Sequence, residues 1–302
     1  MLTILEKCML CPRNCQVDRK QGEKGFCHAG YDPRIARAAL HFWEEPCISG
    51  SKGSGAVFFS HCSLKCVFCQ NYEISQQDAG REVTIEQLGG IFLDLQKQGA
   101  HNINLVTPTH YVPQIIEALK LAKSKNLKIP IVYNSSGYET VQTIKLLQNF
   151  VDIYLPDLKY FDSKYSERYS QAPEYFYIAS KAIDEMVSQV GPPVFDHNGL
   201  MKKGVIVRHL MLPGLLFDSK KIVDHLRKTY GNRIYLSIMN QYTPLKNISG
   251  YPEIDRTLPS AHYESFVQYA IRQGIGNAFI QEGDTAKESF IPSFNSDYSG
   301  II

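Results

Sequence analysis

The chain has 302 residues, which is enough for one large α/β domain with a buried core or for two small domains. Its formal net charge is +2 and its basic residues are scattered, so composition does not indicate a nucleic-acid-binding face or a membrane-surface patch. No apolar run approaches the length of a membrane span, and the first residues lack a basic stretch followed by a long apolar one, so we expect no signal peptide and a cytoplasmic protein.

Three segments follow one another in the chain. Residues 1–50 have few periodic stretches and are predicted to form a small, cysteine-rich, metal-binding lobe. Residues 51–284 alternate strand-like and helix-like stretches, and residues 285–302 are predicted to be a C-terminal tail. Short apolar runs predict strands at residues 56–60, 103–107, 129–133, 151–155, 205–210, 234–238 and 278–280.

Helix-like stretches lie between these runs. The first is predicted to start after Thr84, in a capping box with Gln87, and to end at Gly99. The others are predicted at residues 112–125, 140–149, 174–190, 219–230 and 261–273. Repeated βα units with nearly continuous apolar strands indicate a parallel sheet with helices outside it. The sequence therefore predicts an α/β fold in the form of a partial or nearly closed parallel barrel.

All eight cysteines fall within the first 69 residues, which indicates metal sites at one end of the chain rather than disulfides that staple a whole fold. Cys62, Cys66 and Cys69 have the spacing C-x3-C-x2-C. Three thiolates can bind three irons of a four-iron cluster and leave the fourth iron open, as a catalytic metal requires. The alternative is three unrelated cysteines. Their position directly after a predicted strand, where barrel enzymes place their chemistry, favours the cluster.

The segment HCSLKCVFCQNY resembles the cluster-binding motif of radical S-adenosylmethionine (SAM) enzymes, including the aromatic Phe68 before the third cysteine. The order C-x3-C-x2-C, then NSSG, then DLK is similar to the glycyl-radical-enzyme activases, of which pyruvate formate-lyase activating enzyme is the best known. A branch of activase-like radical SAM proteins is more similar still, since it shares the opening CMLCPRNCQVDRKQGEKGFC and the phrases VTPTHY, YLPDLKY and MNQYTP.

This resemblance covers nearly the whole chain. It implies a (β/α)6-type radical SAM barrel and a 4Fe-4S cluster held by the three cysteines. It also implies an oxidoreductase-type enzyme that cleaves SAM reductively to methionine and a 5′-deoxyadenosyl radical, which abstracts a hydrogen atom. The electron would come from a donor such as flavodoxin or ferredoxin.

The resemblance also implies SAM contacts at the strand ends. The backbone of Phe68 would lie near the adenine. Asp157 would contact the ribose hydroxyls or the amino group, and Lys159 the carboxylate; the alternative for this pair is a surface ion pair. Asn134 and Ser136 are candidate partners for the ribose or the carboxylate, with an ordinary turn as the alternative.

Two further strand ends carry candidate SAM contacts. Many radical SAM enzymes have a Gly-Gly-Glu stretch after the second strand, but this chain has Thr-Pro-Thr-His there. The amino group of SAM would then be met by the hydroxyls of Thr107 and Thr109, by backbone carbonyls or by His110. Arg208 and His209 alternate along the fifth predicted strand, so only one of them can face the barrel mouth. We include His209 as a SAM contact, with the reverse orientation left open.

A second group of cysteines comprises Cys8, Cys11, Cys15 and Cys27. Four thiolates either close a tetrahedral zinc site or complete a second iron–sulfur cluster, and the sequence leaves both open. Cys47 stands alone, as a buried residue or a spare ligand.

If the protein is a radical SAM enzyme, its expected substrate is a glycyl-radical enzyme, as for the activases. The alternative substrate is a peptide or a small molecule. The competing class is a non-catalytic iron–sulfur scaffold or sensor, in which protein ligands would saturate every cluster. The expected partners are SAM, an electron donor and a protein or peptide substrate, with no nucleic acid and no membrane.

Overall fold

The central sheet is mostly parallel and open. The computed structural model describes residues 1–245 and 248–281, and ten strands within them form one sheet. The strands are β1 (Arg34–His41), β2 (Ser54–Phe59), β3 (Arg81–Glu82), β4 (Ile103–Val106), β5 (Ile131–Ser135), β6 (Ile153–Pro156), β7 (Val194–Phe195), β8 (Met201–Leu210), β9 (Tyr235–Met239) and β10 (Ala278–Ile280). Their spatial order is β10-β9-β8-β6-β5-β4-β2-β1-β3, with β7 paired to β8. The predicted α/β fold with a partial parallel barrel is confirmed.

The seven predicted strands correspond to the seven strands that pair in parallel, with ends that differ by a few residues. Strands β1, β3 and β7 are not predicted by the sequence, and each pairs antiparallel with its neighbour. Strand β1 falls within the range 1–50 and belongs to the sheet through its pairing with β2. The division of the chain at residue 50 stays a prediction, and the predicted tail at 285–302 lies outside the described residues.

Helices cover the outside of the parallel strands. They are α1 (Pro46–Ser49), α2 (Tyr72–Ser75), α3 (Ile85–Lys97), α4 (Val112–Ser124), α5 (Val141–Leu146), α6 (Ser163–Ser170), α7 (Tyr175–Val190), α8 (Leu216–Tyr230) and α9 (Ser260–Arg272). Each of the six predicted helices is present, whereas α1, α2 and α6 are not predicted. None of the described helices has both the length and the apolar character needed to cross a bilayer.

Helix α3 shows how local sequence and packing agree. The Thr84 hydroxyl accepts a hydrogen bond from the Gln87 N–H at 3.2 Å, and the Gln87 side chain accepts one from the Thr84 N–H at 2.9 Å, so the predicted capping box is confirmed. Phe92 and Leu95 are fully buried on the face that meets the sheet. Burial of such a side chain contributes about 1.5–3 kcal/mol relative to exposure.

The first residues of the chain pack against the loop that carries the three clustered cysteines, here called the triad loop (residues 60–71). The Arg13 Nε donates a hydrogen bond to the Ser63 carbonyl at 2.9 Å, and the same guanidinium donates to the Gln171 carbonyl. Its Cζ lies 3.7 Å from the centroid of the Phe26 ring. The N-terminal segment therefore supports the triad loop directly.

A buried carboxyl group lies beneath the ends of β4 and β5. Glu139 is 1% exposed and accepts hydrogen bonds from the Thr109 hydroxyl at 2.6 Å and from the Tyr133 hydroxyl at 3.3 Å. Burial raises the pKa of Glu139 to about 7, although the hydrogen bonds from Thr109, Ser135 and Tyr133 oppose the shift. The group therefore holds its proton over most of the acid range.

We expect the Thr84→Ala variant to lose about 1 kcal/mol of free energy of unfolding, because the first turn of α3 loses the acceptor for one of its unpaired N–H groups. The exposed Thr257 provides a matched Thr→Ala control and should change stability little. Denaturant unfolding of the two variants measures the difference. Equal losses in both would show that the cap contributes nothing beyond a generic threonine substitution.

Glu139→Gln is expected to change how stability depends on pH. The folded protein binds the Glu139 proton more tightly than the unfolded chain, in which the group titrates near 4.5. The stabilisation is therefore complete below about pH 4.5 and is lost as the pH rises through about 7, a change on the order of 3 kcal/mol. Between pH 5 and about 8, the free energy of unfolding of the wild type should fall relative to that of the variant. Denaturant unfolding at each pH measures both. Parallel curves for the two proteins would contradict the role of Glu139.

Candidate active site

A large cavity lies inside the partial barrel and is called here the interior cavity. Its volume is about 1060 Å³. At one end its wall contains side chains from the carboxyl ends of the parallel strands, where barrel enzymes hold their active sites. Residues 42–46 line its other end. Strand β1 is antiparallel to β2, with His41 opposite Ser54, so the residues that follow β1 reach the amino ends of the parallel strands.

The three cysteines of the triad loop lie where β2 ends. Each sulfur accepts a hydrogen bond: Cys62 from the Leu64 N–H at 3.4 Å, Cys66 from the Ser170 hydroxyl at 3.0 Å, and Cys69 from the Ser75 hydroxyl at 3.3 Å. Cys66 and Cys69 are in the wall of the interior cavity. Hydrogen bonds to sulfur are typical of thiolates that bind iron–sulfur clusters, whose reduction potentials they adjust.

The three thiols lie close enough to act on one another; Cys66 is buried, and Cys62 and Cys69 are partly buried. Burial raises the pKa of Cys62 to about 12, with Cys66 and Cys69 adding to the increase. Burial also raises the pKa of Cys66 to about 11 and that of Cys69, while the positive charge of Lys159 lowers both. Three thiolates at this spot therefore need a cationic group between them.

The arrangement of the three thiols suits a multi-iron cluster. Among residues 1–245 and 248–281, no three His, Cys, Asp or Glu side chains are arranged to hold one metal ion. In a 4Fe-4S cluster each thiolate binds a separate iron, so the three sulfurs need no common ion position. The donor set, three thiols with hydrogen-bonded sulfurs beside a cavity, suits such a cluster with one iron left open to a ligand.

Two ion pairs meet at Asp157, at the end of β6. The Lys159 Nζ lies 2.6 Å from Asp157 Oδ2, and the Arg208 Nε donates to Asp157 Oδ1 at 3.0 Å. Burial alone would raise the pKa of Asp157, but Lys159 and Arg208 outweigh it and lower the pKa below its usual value. Burial would also lower the pKa of Lys159, but Asp157 and Cys66 hold it above its ordinary value. Asp157 is therefore a carboxylate and Lys159 an ammonium.

Arg208 extends this network deeper into the barrel. Its Nη2 donates to Asn134 Oδ1 at 2.6 Å, and its Nη1 is 3.4 Å from Glu44 Oε2. The other Glu44 oxygen accepts hydrogen bonds from the side-chain amides of Asn104 at 3.0 Å and of Asn134 at 3.3 Å. Burial raises the pKa of Glu44 and Arg208 opposes that shift. The interior cavity thus presents both positive and negative groups close to the triad.

Gly137 permits the close approach of the loops after β5 and β6. Its φ is +75°, and a Cβ built on it would lie 2.2 Å from the Asp157 carbonyl oxygen. Any other residue would collide with this backbone. The glycine of the NSSG motif therefore helps to position Asp157.

The structure brings only part of the predicted SAM-binding set to the interior cavity. Phe68, Asn134, Asp157 and Lys159 line it. Thr107, Thr109 and Ser136 are not in its wall: Thr109 binds Glu139, and the Ser136 hydroxyl accepts from the Tyr138 N–H at 3.4 Å.

Of Arg208 and His209, it is Arg208 that faces the interior cavity. His209 is buried on the opposite face of β8, where its ring nitrogens lie 2.7 Å from the Leu158 carbonyl and 2.8 Å from the Ser219 hydroxyl of α8. Successive side chains of a strand point to opposite faces, so Arg208 faces the interior cavity. A SAM contact through His209 is therefore not supported.

Sequence reasoning missed Glu44, Glu45 and the aromatic residues before them. Phe42, Trp43, Glu44 and Glu45 all line the amino-end side of the cavity. The sequence feature that could have indicated them is a pair of adjacent glutamates between two aromatic residues and a proline. This feature lies in the range that was predicted to be rich in loops.

The sequence matches a family model and a related protein. The family model of the Radical SAM superfamily matches residues 56–226, more than half of the chain. Uncharacterized protein MJ0674 of Methanocaldococcus jannaschii is 30% identical over 276 residues, which cover 88% of this chain and 75% of that protein.

Solved structures of low sequence identity share the fold. Streptococcus suis SuiB bound to S-adenosylmethionine is 16% identical, with a TM-score of 0.50 over 74% of this chain and 49% of SuiB. The FeFe-hydrogenase maturase HydG from Carboxydothermus hydrogenoformans is 13% identical, with a TM-score of 0.51 over 76% of this chain and 54% of HydG. The chain thus spans about half the length of these two proteins. On the strength of the family match, the chain belongs to the radical SAM superfamily.

Proposed function

We propose that this protein is an enzyme that binds a 4Fe-4S cluster through Cys62, Cys66 and Cys69 and cleaves SAM reductively. One observation carries the proposal: Cys66 and Cys69, two of three hydrogen-bonded thiols, lie in the wall of a cavity of about 1060 Å³ that also contains paired charges. The cluster would supply one electron to the sulfonium of SAM, which releases methionine and a 5′-deoxyadenosyl radical. A donor such as flavodoxin or ferredoxin would provide that electron.

The charged side chains match the polar groups of SAM. Lys159 keeps its proton and lies close enough to Cys66 to lower the pKa of that thiol, so it can face the methionine carboxylate beside the triad. Asp157 is ionised and can accept hydrogen bonds from the amino group or from the ribose hydroxyls. Arg208 holds the Asp157 carboxylate in place from the other side. These residues bind and orient SAM.

The second part of the proposal concerns the hydrogen donor. Ligand pockets typically have volumes of about 300–1,000 Å³, so a cavity of about 1060 Å³ leaves room for a substrate group beside SAM. A glycine-bearing loop of a glycyl-radical enzyme, as in the activases, is one such donor. A peptide side chain or a small molecule is the alternative. In both cases the radical takes a hydrogen atom and becomes 5′-deoxyadenosine.

The cysteine triad should be required for SAM cleavage. With dithionite and SAM under anaerobic conditions, the reconstituted wild type should release 5′-deoxyadenosine, whereas the Cys62→Ala/Cys66→Ala/Cys69→Ala protein should release none, because no thiolate holds the cluster. Cys47→Ala is the matched control, since Cys47 is buried outside both cysteine groups, and it should retain the activity. Release of 5′-deoxyadenosine by the triple variant would refute the proposal. A reduced cluster whose EPR spectrum is unaffected by SAM would instead favour the scaffold or sensor.

Lys159→Gln should weaken SAM binding by about 1–3 kcal/mol, or roughly 5- to 150-fold, because the substitution removes a charged donor. Lys202 also pairs with an aspartate, with its Nζ 3.1 Å from Asp196 Oδ2, but at the protein surface. Lys202→Gln is therefore the control and should leave SAM affinity unchanged. SAM titrations with iron content matched to the wild type measure both. Equal affinities in all three proteins would return the Asp157–Lys159 pair to a purely structural role.

A further inference from the structure

A second group of thiols surrounds a small enclosed space near the N-terminus. Cys8, Cys11, Cys15 and Cys27 line one cavity of about 10 Å³, room for about one water-sized body. Backbone hydrogen bonds hold the loop in shape: the Cys8 N–H donates to the Val17 carbonyl at 3.0 Å. The cysteines of this first group thus converge, although they are separated by up to 19 positions in the chain.

The loop is built for a close approach to one of these sulfurs. The Phe26 N–H donates to Cys15 Sγ at 3.3 Å. A Cβ at Gly25 would lie 2.7 Å from the same sulfur, so only glycine fits there. Asn14, Gln16 and His28, which adjoin Cys15 and Cys27, all have positive φ, a conformation that costs free energy in residues other than glycine.

A buried positive charge lies beside the thiols. Arg19 lines the same cavity and is 1% exposed. Among the described residues, its guanidinium donates to backbone carbonyls alone, to Gly30 at 2.9 Å and to His110 at 2.5 Å. Within the described part of the chain, no carboxylate forms an ion pair with it. A buried guanidinium needs a negative counter-charge, and the acidic groups that line the same cavity are the four cysteine thiols.

One residue of the cavity lining, His110, has an imidazole nitrogen without a hydrogen-bond partner among the described residues. His110 lines the cavity, and its Nε2 lies 2.7 Å from the Ser60 carbonyl. A carbonyl only accepts, so Nε2 carries the proton and Nδ1 has a lone pair. Nδ1 is buried and has no hydrogen-bond partner among the residues that the structure describes. A buried nitrogen that lacks a hydrogen-bond partner is uncommon in a folded protein.

We propose that Cys8, Cys11, Cys15 and Cys27 bind a metal as thiolates, in a centre separate from the SAM site, and that the Arg19 guanidinium balances its negative charge. A zinc ion with four thiolates and an iron–sulfur cluster with four thiolates both carry net negative charge and share this chemistry. The sulfurs are not arranged around a single-ion position in the described structure, so metal binding includes a small movement of the loop. Arg19 acts on the metal through the thiolates and is a positioning residue.

The metal content of the full chain tests the centre. The variant with Cys62, Cys66 and Cys69 replaced by Ala, purified without oxygen, should retain about one zinc or about four irons per chain. Adding Cys8→Ala and Cys11→Ala should remove that metal, and adding Cys47→Ala instead should not. Elemental analysis and the visible absorption of the protein distinguish zinc from an iron–sulfur cluster. Wild-type protein provides a second measurement. It should contain about four irons and one zinc per chain if the N-terminal metal is zinc, or about eight irons per chain if it is a second cluster. A triple variant and a wild type that both lack this additional metal would overturn the proposal.

Substitution of Arg19 tests the charge. Arg19→Met should speed the loss of the N-terminal metal to a chelator by about 10- to 100-fold, the usual effect of removing a group that supports metal ligands. Arg19→Lys keeps the charge and should restore most of the retention. If the side chain served packing alone, Arg19→Met would retain metal as the wild type does or Arg19→Lys would fail to rescue it, and either result would overturn the charge-balancing role.

Discussion

The ion pairs inside the barrel constrain the rest of the structure. Arg208 lies between two carboxylates, with its Nε 3.0 Å from Asp157 and its Nη1 3.4 Å from Glu44. These side chains are only 10–17% exposed, and a charge in such a position is costly when it loses its partner. The end of β6, the strand β8 and residues 42–46 must therefore keep a fixed spacing. The sheet of this protein is open, and the ion pairs of Arg208 connect its strands across the interior.

The parallel part of the fold was predictable because it depends on continuous burial. Strands such as β4 and β5 are buried along their whole length, so most of their residues are apolar and the run is visible in the sequence. Strands β3 and β7 have two residues each and carry no apolar run. Strand β1 has a mixed pattern, with Arg34 and Arg37 among alanines, and its place in the sheet depends on pairing with β2. Such pairing is a tertiary property that no local pattern reports.

The candidate site was predictable at strand ends but not in the direction of each side chain. Asn134, Asp157 and Lys159 reach the interior cavity as expected. Thr109 instead donates to the buried Glu139. His209 faces α8, because successive residues of a strand point to opposite faces. Glu44 could not be placed from the sequence, since its position follows from the antiparallel course of β1.

The contact between Arg13 and Ser63 ties the N-terminal segment to the loop that carries the three cysteines. A piece of the chain that began at residue 51 would keep the three cysteines of the triad and every parallel strand. It would lack the guanidinium that holds the Ser63 carbonyl, the ring of Phe26 beneath that guanidinium, and the Glu44 carboxylate that pairs with Arg208. The family model matches residues 56–226, so these N-terminal contacts lie outside the matched region. Recombinant truncations and domain fusions of this protein should retain the N-terminal residues.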